Sequence, residues 1–231
     1  MTLYETIYAR RQVREFLDTP LEQEIQDDIL NFARKAEQLE GQSVTLKMVS
    51  ASQVSNSQGA PCCLLAYCDP HAAAYANVGF VLQKADLYIQ SLGLGSGWFM
   101  NIKPKENGND FCIGLAVGRT ELPMRKDVDE FKRKPISEIN EQDNVITQAV
   151  RLAPSSLNSQ PWEIRFEPYC IHVDDAGHGF SRLILKNKLN KIDVGIAARH
   201  AVVALENEGS SVTNVIPEEN GKQFGLSIIY Q

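Results

Sequence analysis

The strongest constraint on how this chain of 231 residues can fold is that its second half repeats the order of its first. Val78-Gly79-Phe80 aligns with Val194-Gly195-Ile196 at an offset of 116, which also brings Ala85 onto Ala201 and Gly93 onto Gly209. At an offset of 117, Ile29, Arg34 and Ala36 meet Ile146, Arg151 and Ala153. Phe111-Cys112-Ile113-Gly114-Leu115 has a late counterpart in Lys222-Gln223-Phe224-Gly225-Leu226. Any one match could arise by chance. Their shared order (helix, strand, central helix, strand) points to a duplicated unit. The expected organisation is one compact unit over 1–231, with half-repeats over about 1–139 and 140–231.

Hydrophobic periodicity supplies the elements. Leu3, Ile7, Tyr8 and Val13 predict a helix over 3–14, stopped by Asp18-Thr19-Pro20. Ile25, Ile29, Phe32, Ala33 and Ala36 predict an amphipathic helix over 21–38. Strands are expected over 44–49, 62–67 and 111–117. The span 77–92 has few solvent-facing positions and reads as the buried central helix. It stops at Gly93-Leu94-Gly95-Ser96-Gly97-Trp98, where glycines permit left-handed turns and close backbone approach. A glycine C-cap that touches nothing is the competing reading of that run. The charged segment from Arg125 to Glu130 reads as a mobile, solvated loop. Further on, Val145, Ile146, Ala149, Val150 and Leu152 form a helical run that Pro154 must end. Trp162, Ile164 and Phe166 then read as a strand.

Composition narrows the function. Hydrophobic residues make up 43% and charged residues 23%, the balance of a globular protein with a sizeable core. A net charge of −6 disfavours nucleic acid or an anionic membrane as partner, so a phosphate ligand would need a local arginine cluster. The apolar-rich stretch from Val78 to Leu94 is broken by Gln83, Lys84, Asp86 and Gln90 and is not expected to span a membrane. No signal-peptide pattern opens the chain. The five cysteines lack metal-site spacing and suit a reducing cytoplasm. The glycine run fails the dinucleotide fingerprint at Trp98, and neither a P-loop nor a nucleophile elbow occurs. His200 reads as a packed core histidine, and no protein acid, base or nucleophile stands out.

Two stretches carry chemistry. Arg10-Arg11-Gln12-Val13-Arg14-Glu15-Phe16 crowds three arginines into five residues. They form either a solvated helix face or a phosphate clamp, since each guanidinium can bond two oxygens. Ala153-Pro154-Ser155-Ser156-Leu157-Asn158-Ser159-Gln160-Pro161-Trp162 offers hydroxyl and amide groups beside a flat ligand, or is an ordinary turn.

The ordered Pro-Ser-Ser-x-Asn string resembles the flavin-contacting loop of the FMN-dependent nitroreductase family. The Arg-Arg-x-Val-Arg-x-Phe string is similar to its N-terminal phosphate motif, in which serine usually stands where this chain has Gln12. A long helix ending in Gly93-Leu94-Gly95-Ser96 and the Arg133-Lys134-Pro135-Ile136 segment are also similar to that family. The likeness covers most of residues 4–230 and is to a variant branch with two fused half-repeats. It implies an α+β, nitroreductase-like fold, with a central, mostly antiparallel sheet surrounded by helices and a pseudo-two-fold axis within one chain.

The same resemblance implies an FMN-dependent oxidoreductase that passes hydride from NAD(P)H to a small electron-poor acceptor such as a nitroaromatic or quinone. Arg10, Arg11 and Arg133 would hold the FMN phosphate, with Gln12 beside them and Arg14 near the ribityl or pyrimidine end. Gly93, Leu94, Gly95 and Ser96 would lie against the flavin ring. Pro154, Ser155, Ser156 and Asn158 would reach it from the other half. Ordinary family members are homodimers with FMN at the interface. Here the first half carries the arginines and the second the Pro-Ser loop, so the expectation is a monomer acting as a pseudo-dimer, or a homodimer of it. A flavin-binding sensor or carrier, or an interaction protein that has lost its cofactor, is the alternative.

Overall fold

Each half of the chain builds a four-stranded antiparallel sheet and packs one long helix against it. The computed structural model describes residues 1–106, 110–177, 183–220 and 223–231. The first half contains α1 (Leu3–Ala9), α2 (Gln23–Arg34), β1 (Thr45–Ser50), β2 (Cys62–Tyr67), α3 (Ala72–Ser91), β3 (Gly95–Phe99) and β4 (Phe111–Gly118). The second contains α4 (Val145–Arg151), β5 (Trp162–Glu167), β6 (Cys170–Asp175), α5 (Leu183–Asn207), β7 (Val212–Asn220) and β8 (Gln223–Tyr230). Strand order is β1-β2-β4-β3 in one sheet and β5-β6-β8-β7 in the other. These are the same path traced twice. The antiparallel α+β architecture expected from the sequence is present, with its strands divided between two sheets. Lys222, named above in the repeat, lies outside the described residues.

Between the sheets α3 and α5 cross. Both helices are apolar nearly all round, the pattern of a core helix rather than a surface one. Val78, Phe80, Leu82, Ala85, Leu87 and Ile89 of α3 are buried, as are Val194, Ile196, Ala197, Ala201 and Val202 of α5. At the crossing, a Cβ on Gly79 would lie 2.0 Å from the Ile192 carbonyl oxygen, and one on Gly195 would lie 1.9 Å from that of Ala76. The two glycines that the sequence repeat aligns are therefore the points where the helix backbones touch. Only a residue without a Cβ permits that approach.

Three expectations are corrected. The helix over 3–14 ends at Ala9, and Arg10 turns to an extended ψ of 151°. Residues beyond it lie along β3 instead: Val13 N–H donates to the Ser96 carbonyl at 3.0 Å. The Gln12 amide brackets Trp98, donating to its carbonyl at 2.8 Å and accepting its N–H at 3.0 Å. Those bonds supply partners a fourth helical turn would otherwise have provided. The run from Gly95 to Phe99 is accordingly a strand rather than a loop. Gly97 allows the crowding, since its Cβ would lie 2.4 Å from the Val13 carbonyl oxygen. The helix expected over 21–38 is shorter, and α2 closes at Arg34.

Among the described residues no helix is long and apolar enough to cross a membrane. All five cysteines are free thiols, and burial pushes those of Cys62 and Cys63 up to about 12.

Candidate functional site

A cavity of about 510 Å³ lies where the two halves meet, a volume typical of small-molecule and cofactor sites. The first half contributes Arg10, Gln12, Arg14, Trp98, Phe99 and Ile113. The second contributes the loop Pro154, Ser155, Ser156, Leu157 and Asn158, with Ile192, Asp193 and Ile196 of α5. Arg125 and Arg133 reach it from the segment that joins the halves. A broader hollow along α2 and the end of α3 is lined by Glu24, Asp27 and Asp28 with Arg119. It is more open and acidic, and lacks walls from both halves.

Charge is the distinctive property of the inter-half cavity. The Arg10 guanidinium is buried and donates through Nε to Asp86 Oδ2 at 2.7 Å. Asp86 is held in turn by Gln83 at 3.2 Å, Gln90 at 3.1 Å and the Ser96 hydroxyl. Arg125 donates to the Arg10 carbonyl and lies 4.2 Å from the Phe131 ring centroid. Burial, followed by the positive charges of Arg10 and Arg11, depresses it to about 10. Arg133 donates to Asn158 Oδ1 and, at 3.2 Å each, to the carbonyls of Phe131 and Leu152. Burial first, then Arg10, Arg125 and Arg151, depresses it to about 9. Its Nε is buried with no partner. Arg14 is exposed and sits 5.9 Å over the Phe99 ring. Of the four arginines lining the cavity, only Arg10 is bonded to a carboxylate among the described residues. Crowded guanidinium groups that lower one another's proton affinity are relieved by an anion.

The loop from the second half is held in an unusual backbone shape. Leu157, Asn158 and Gln160 have φ of +51°, +58° and +47°, a region that non-glycine residues enter only when their surroundings fix them there. Several hydrogen bonds do so. Ser155 accepts the Asn158 N–H on its carbonyl at 3.0 Å and the Gln160 N–H on its Oγ at 2.9 Å. Asn158 Nδ2 donates to the Lys132 carbonyl at 3.0 Å. Ser156 donates its N–H to both carboxyl oxygens of Asp193 at 3.1 Å, and its hydroxyl lies 3.3 Å from Asp193 Oδ1.

The structure thus brings Arg10, Gln12, Arg14, Arg133, Pro154, Ser155, Ser156 and Asn158 together at one cavity. It does not bring Arg11, Gly93, Leu94, Gly95 or Ser96 there. Arg11 turns outward to Glu130 at 3.3 Å, while its backbone N–H donates to Gln90 Oε1 at 2.9 Å. Gly93 follows the helix C-cap Leu92, at φ +78°, with no atom near its missing Cβ. Leu94 leads into β3 and Gly95 begins it, and the Ser96 hydroxyl is spent on Asp86 and Gln90. Sequence reasoning missed Arg125, hidden in a charge run that looks solvated. It also missed Asp193, which carried one usable signal: an acid directly before the aligned Val194-Gly195 pair. His200 is a core residue, bonded to the Ala149 carbonyl at 2.8 Å and Gln83 at 3.1 Å, and burial depresses it to about 3.

A family model described as "Putative TM nitroreductase" matches residues 2–205. The chain belongs to that nitroreductase family. Membership makes oxidoreductase its coarse functional class. A structure described as a "putative nitroreductase" from Thermotoga maritima is 21% identical, with a TM-score of 0.74 over 99% of this chain and 94% of that one. A nitroreductase family protein from Clostridium difficile is 22% identical over 62% of this chain and 100% of its own, with a TM-score of 0.51. Another, from Desulfovibrio desulfuricans and described in complex with FMN, is 16% identical over 62% of this chain and 96% of its own, with a TM-score of 0.47. No curated protein matches the chain at a significant level.

This nitroreductase-family chain also holds a counterpart to its cavity loop. Asn77 stands 116 residues before Asp193, and its Oδ1 accepts the Leu39 N–H at 2.9 Å as Asp193 accepts that of Ser156. Around that counterpart, Arg199 is fully buried and donates to Glu37 Oε2 at 3.0 Å, the Glu37 carbonyl at 2.9 Å and the Phe80 carbonyl at 3.0 Å. Lys84 reaches the same Glu37 carboxylate at 2.6 Å. Burial works to raise the Glu37 carboxyl, but the Lys84 hydrogen bond and the Arg199 charge outweigh it and hold it at about 2. Burial nonetheless pulls Arg199 down to about 10.

Proposed function

We propose that the inter-half cavity holds FMN, and that the protein passes hydride from NAD(P)H to a small electron-poor acceptor such as a nitroaromatic or a quinone. Bound there, FMN would supply the hydride relay; the chain's own residues bind and orient. The observation that carries this reading is the cluster of Arg10, Arg14, Arg125 and Arg133, only one of them paired with a carboxylate among the described residues, facing a polar loop from the other half. A phosphate would satisfy the unpartnered buried Nε of Arg133 and the repulsion between Arg125 and Arg10. Arg125 takes the phosphate-side place that the sequence assigned to Arg11. Arg14, exposed over the Phe99 ring, would stabilise negative charge on a bound ring. Ser155, Ser156 and Asn158 shape the facing wall. Trp98 holds the Gln12 amide in place, its Oε1 accepting and one Nε2–H donating, which leaves the second Nε2–H for the ligand.

On this reading the chain is a fused pseudo-dimer: repeated topology, crossing glycines and the matched Asn77 and Asp193 contacts all support one duplicated unit. One chain supplies both walls of the site. The test uses residues from opposite halves. Arg14→Ala and Asn158→Ala should each weaken FMN binding, followed by flavin fluorescence, by about tenfold, the value of one lost hydrogen bond to a charged or ring group. An Asn158→Ala variant that binds FMN as the parent does would remove the second half from the site.

A further inference from the structure

Asp193 is the buried titratable group at the cavity that the binding scheme does not use. It is 1% exposed and lines the cavity beside Ile192 and Ile196. Among the described residues its carboxyl has Ser156 as its hydrogen-bond partner and no cation within ion-pairing distance. Asp175 faces it from β6 with Lys191 bound at 2.6 Å, and the remaining charges around the cavity are Arg10, Arg14, Arg125 and Arg133. Burial foremost, with a contribution from Asp175 and against the Ser156 hydrogen bonds, pushes Asp193 up to about 8. It therefore holds its proton at neutral pH.

The chain contains its own control for what this position requires structurally. At the equivalent place in the first half, Asn77 makes the same loop bond to the Leu39 N–H, and Asn77 does not line the cavity. An amide is enough to hold such a loop. Of these two equivalent places, the unpaired acid that is costly to bury stands at the one that faces the ligand space.

Resting on the flavin reading above, we propose that Asp193 is the proton donor of this cavity, giving its carboxyl proton to the acceptor as that acceptor receives hydride. The balance is complete. Hydride brings two electrons and one proton, the Asp193 carboxyl brings the second proton, and a quinone leaves as its hydroquinone. The carboxylate left behind is stabilised by the Ser156 N–H and hydroxyl until a solvent proton restores the acid.

Asp193→Asn separates this role from a structural one, because Asn preserves the loop bond, as Asn77 does. Difference infrared spectra of the flavin-free protein at pH 7, parent minus variant, should show a protonated carboxyl band that fades above about pH 8. A band already absent at pH 7 overturns the proposal. In stopped flow, the parent reduced by NADPH and mixed with a quinone should reoxidise more slowly above about pH 8. The variant should be at least tenfold slower and flat with pH, with FMN affinity and the NADPH half-reaction within about twofold of the parent. If both proteins bind FMN and reoxidise alike, the donor proposal alone falls. If neither takes up FMN at any pH, the flavin reading falls and the donor falls with it.

Discussion

In the second half, Asp193 receives the N–H of Ser156 beside a cavity lined by guanidinium groups. In the first, Asn77 receives the N–H of Leu39 in the same way, but Arg199, Lys84 and Glu37 close an ion-pair network around that loop. The backbone frame is shared and the electrostatics are opposite. Arg199 carries its own counter-ion at 3.0 Å; among the described residues Arg125 and Arg133 are bonded only to carbonyl, amide and aromatic groups. A fold that presents two equivalent places has balanced its charge at one and left it open at the other. The open one is where an anionic ligand gains most.

Substitutions at the crossing have the largest expected effect and test whether the frame is shared. Gly79→Ala and Gly195→Ala each place a Cβ within about 2 Å of a carbonyl oxygen on the facing helix. Each should cost about 3 kcal/mol or more in urea denaturation, at the upper end of overpacking penalties. A large cost at one glycine and none at the other would break the symmetry. The next comparison sets Arg125→Ala with Arg133→Ala against Arg199→Ala. Removing the cavity pair should lower FMN affinity by on the order of 100-fold, through two lost charge-assisted bonds, with little loss of thermal stability. Arg199→Ala should do the reverse: FMN binding kept, and roughly 2 kcal/mol lost as the Glu37 and Phe80 carbonyls lose their guanidinium donor.

Proton linkage sharpens the contrast further. The Asp193 carboxyl is raised in the folded state, so the native protein holds a proton that the unfolded chain releases between about pH 4 and 8. Stability should fall as pH rises through that window. Asp193→Asn should remove the slope and be the more stable protein at pH 8, by at least about 1 kcal/mol in denaturant midpoints. Glu37 has the opposite sign. Its carboxyl is depressed to about 2, so its contribution is present above the ordinary carboxylate range and fades as pH falls toward 2. Glu37→Gln should flatten that acid limb by less than about 1 kcal/mol, since the side chain is 59% exposed and screened by solvent.

The sequence revealed the parts of this molecule that depend on local pattern. Apolar periodicity located the long helix around Val78 to Ile89 and the strand Cys62–Tyr67, because burial repeats at a fixed spacing. The alignment of Gly79 with Gly195 pointed to the duplication, while their role as the helix contact came only with the structure. Illegible features were those decided by distant partners. Arg10 to Arg14 looked helical by spacing, yet Ser96 and Trp98, more than 80 residues on, draw that segment out along β3. Gly95 to Phe99 looked like a loop because glycine masks a strand. Arg125 was lost among neighbouring charges, since only folding shows which of several cations turns inward. At the cavity, the ordered Pro-Ser-Ser-x-Asn and arginine strings located both walls, whereas Asp193 required the structure to show that its carboxyl is buried.

The most direct test of the account is the visible absorption spectrum of the protein after incubation with FMN and desalting, recorded before and after anaerobic addition of NADPH. The account predicts a retained flavin band that bleaches with the nicotinamide donor. A colourless protein would contradict the shared cavity as an FMN site, and a retained flavin that stays oxidised with NADPH and with NADH would contradict the hydride transfer.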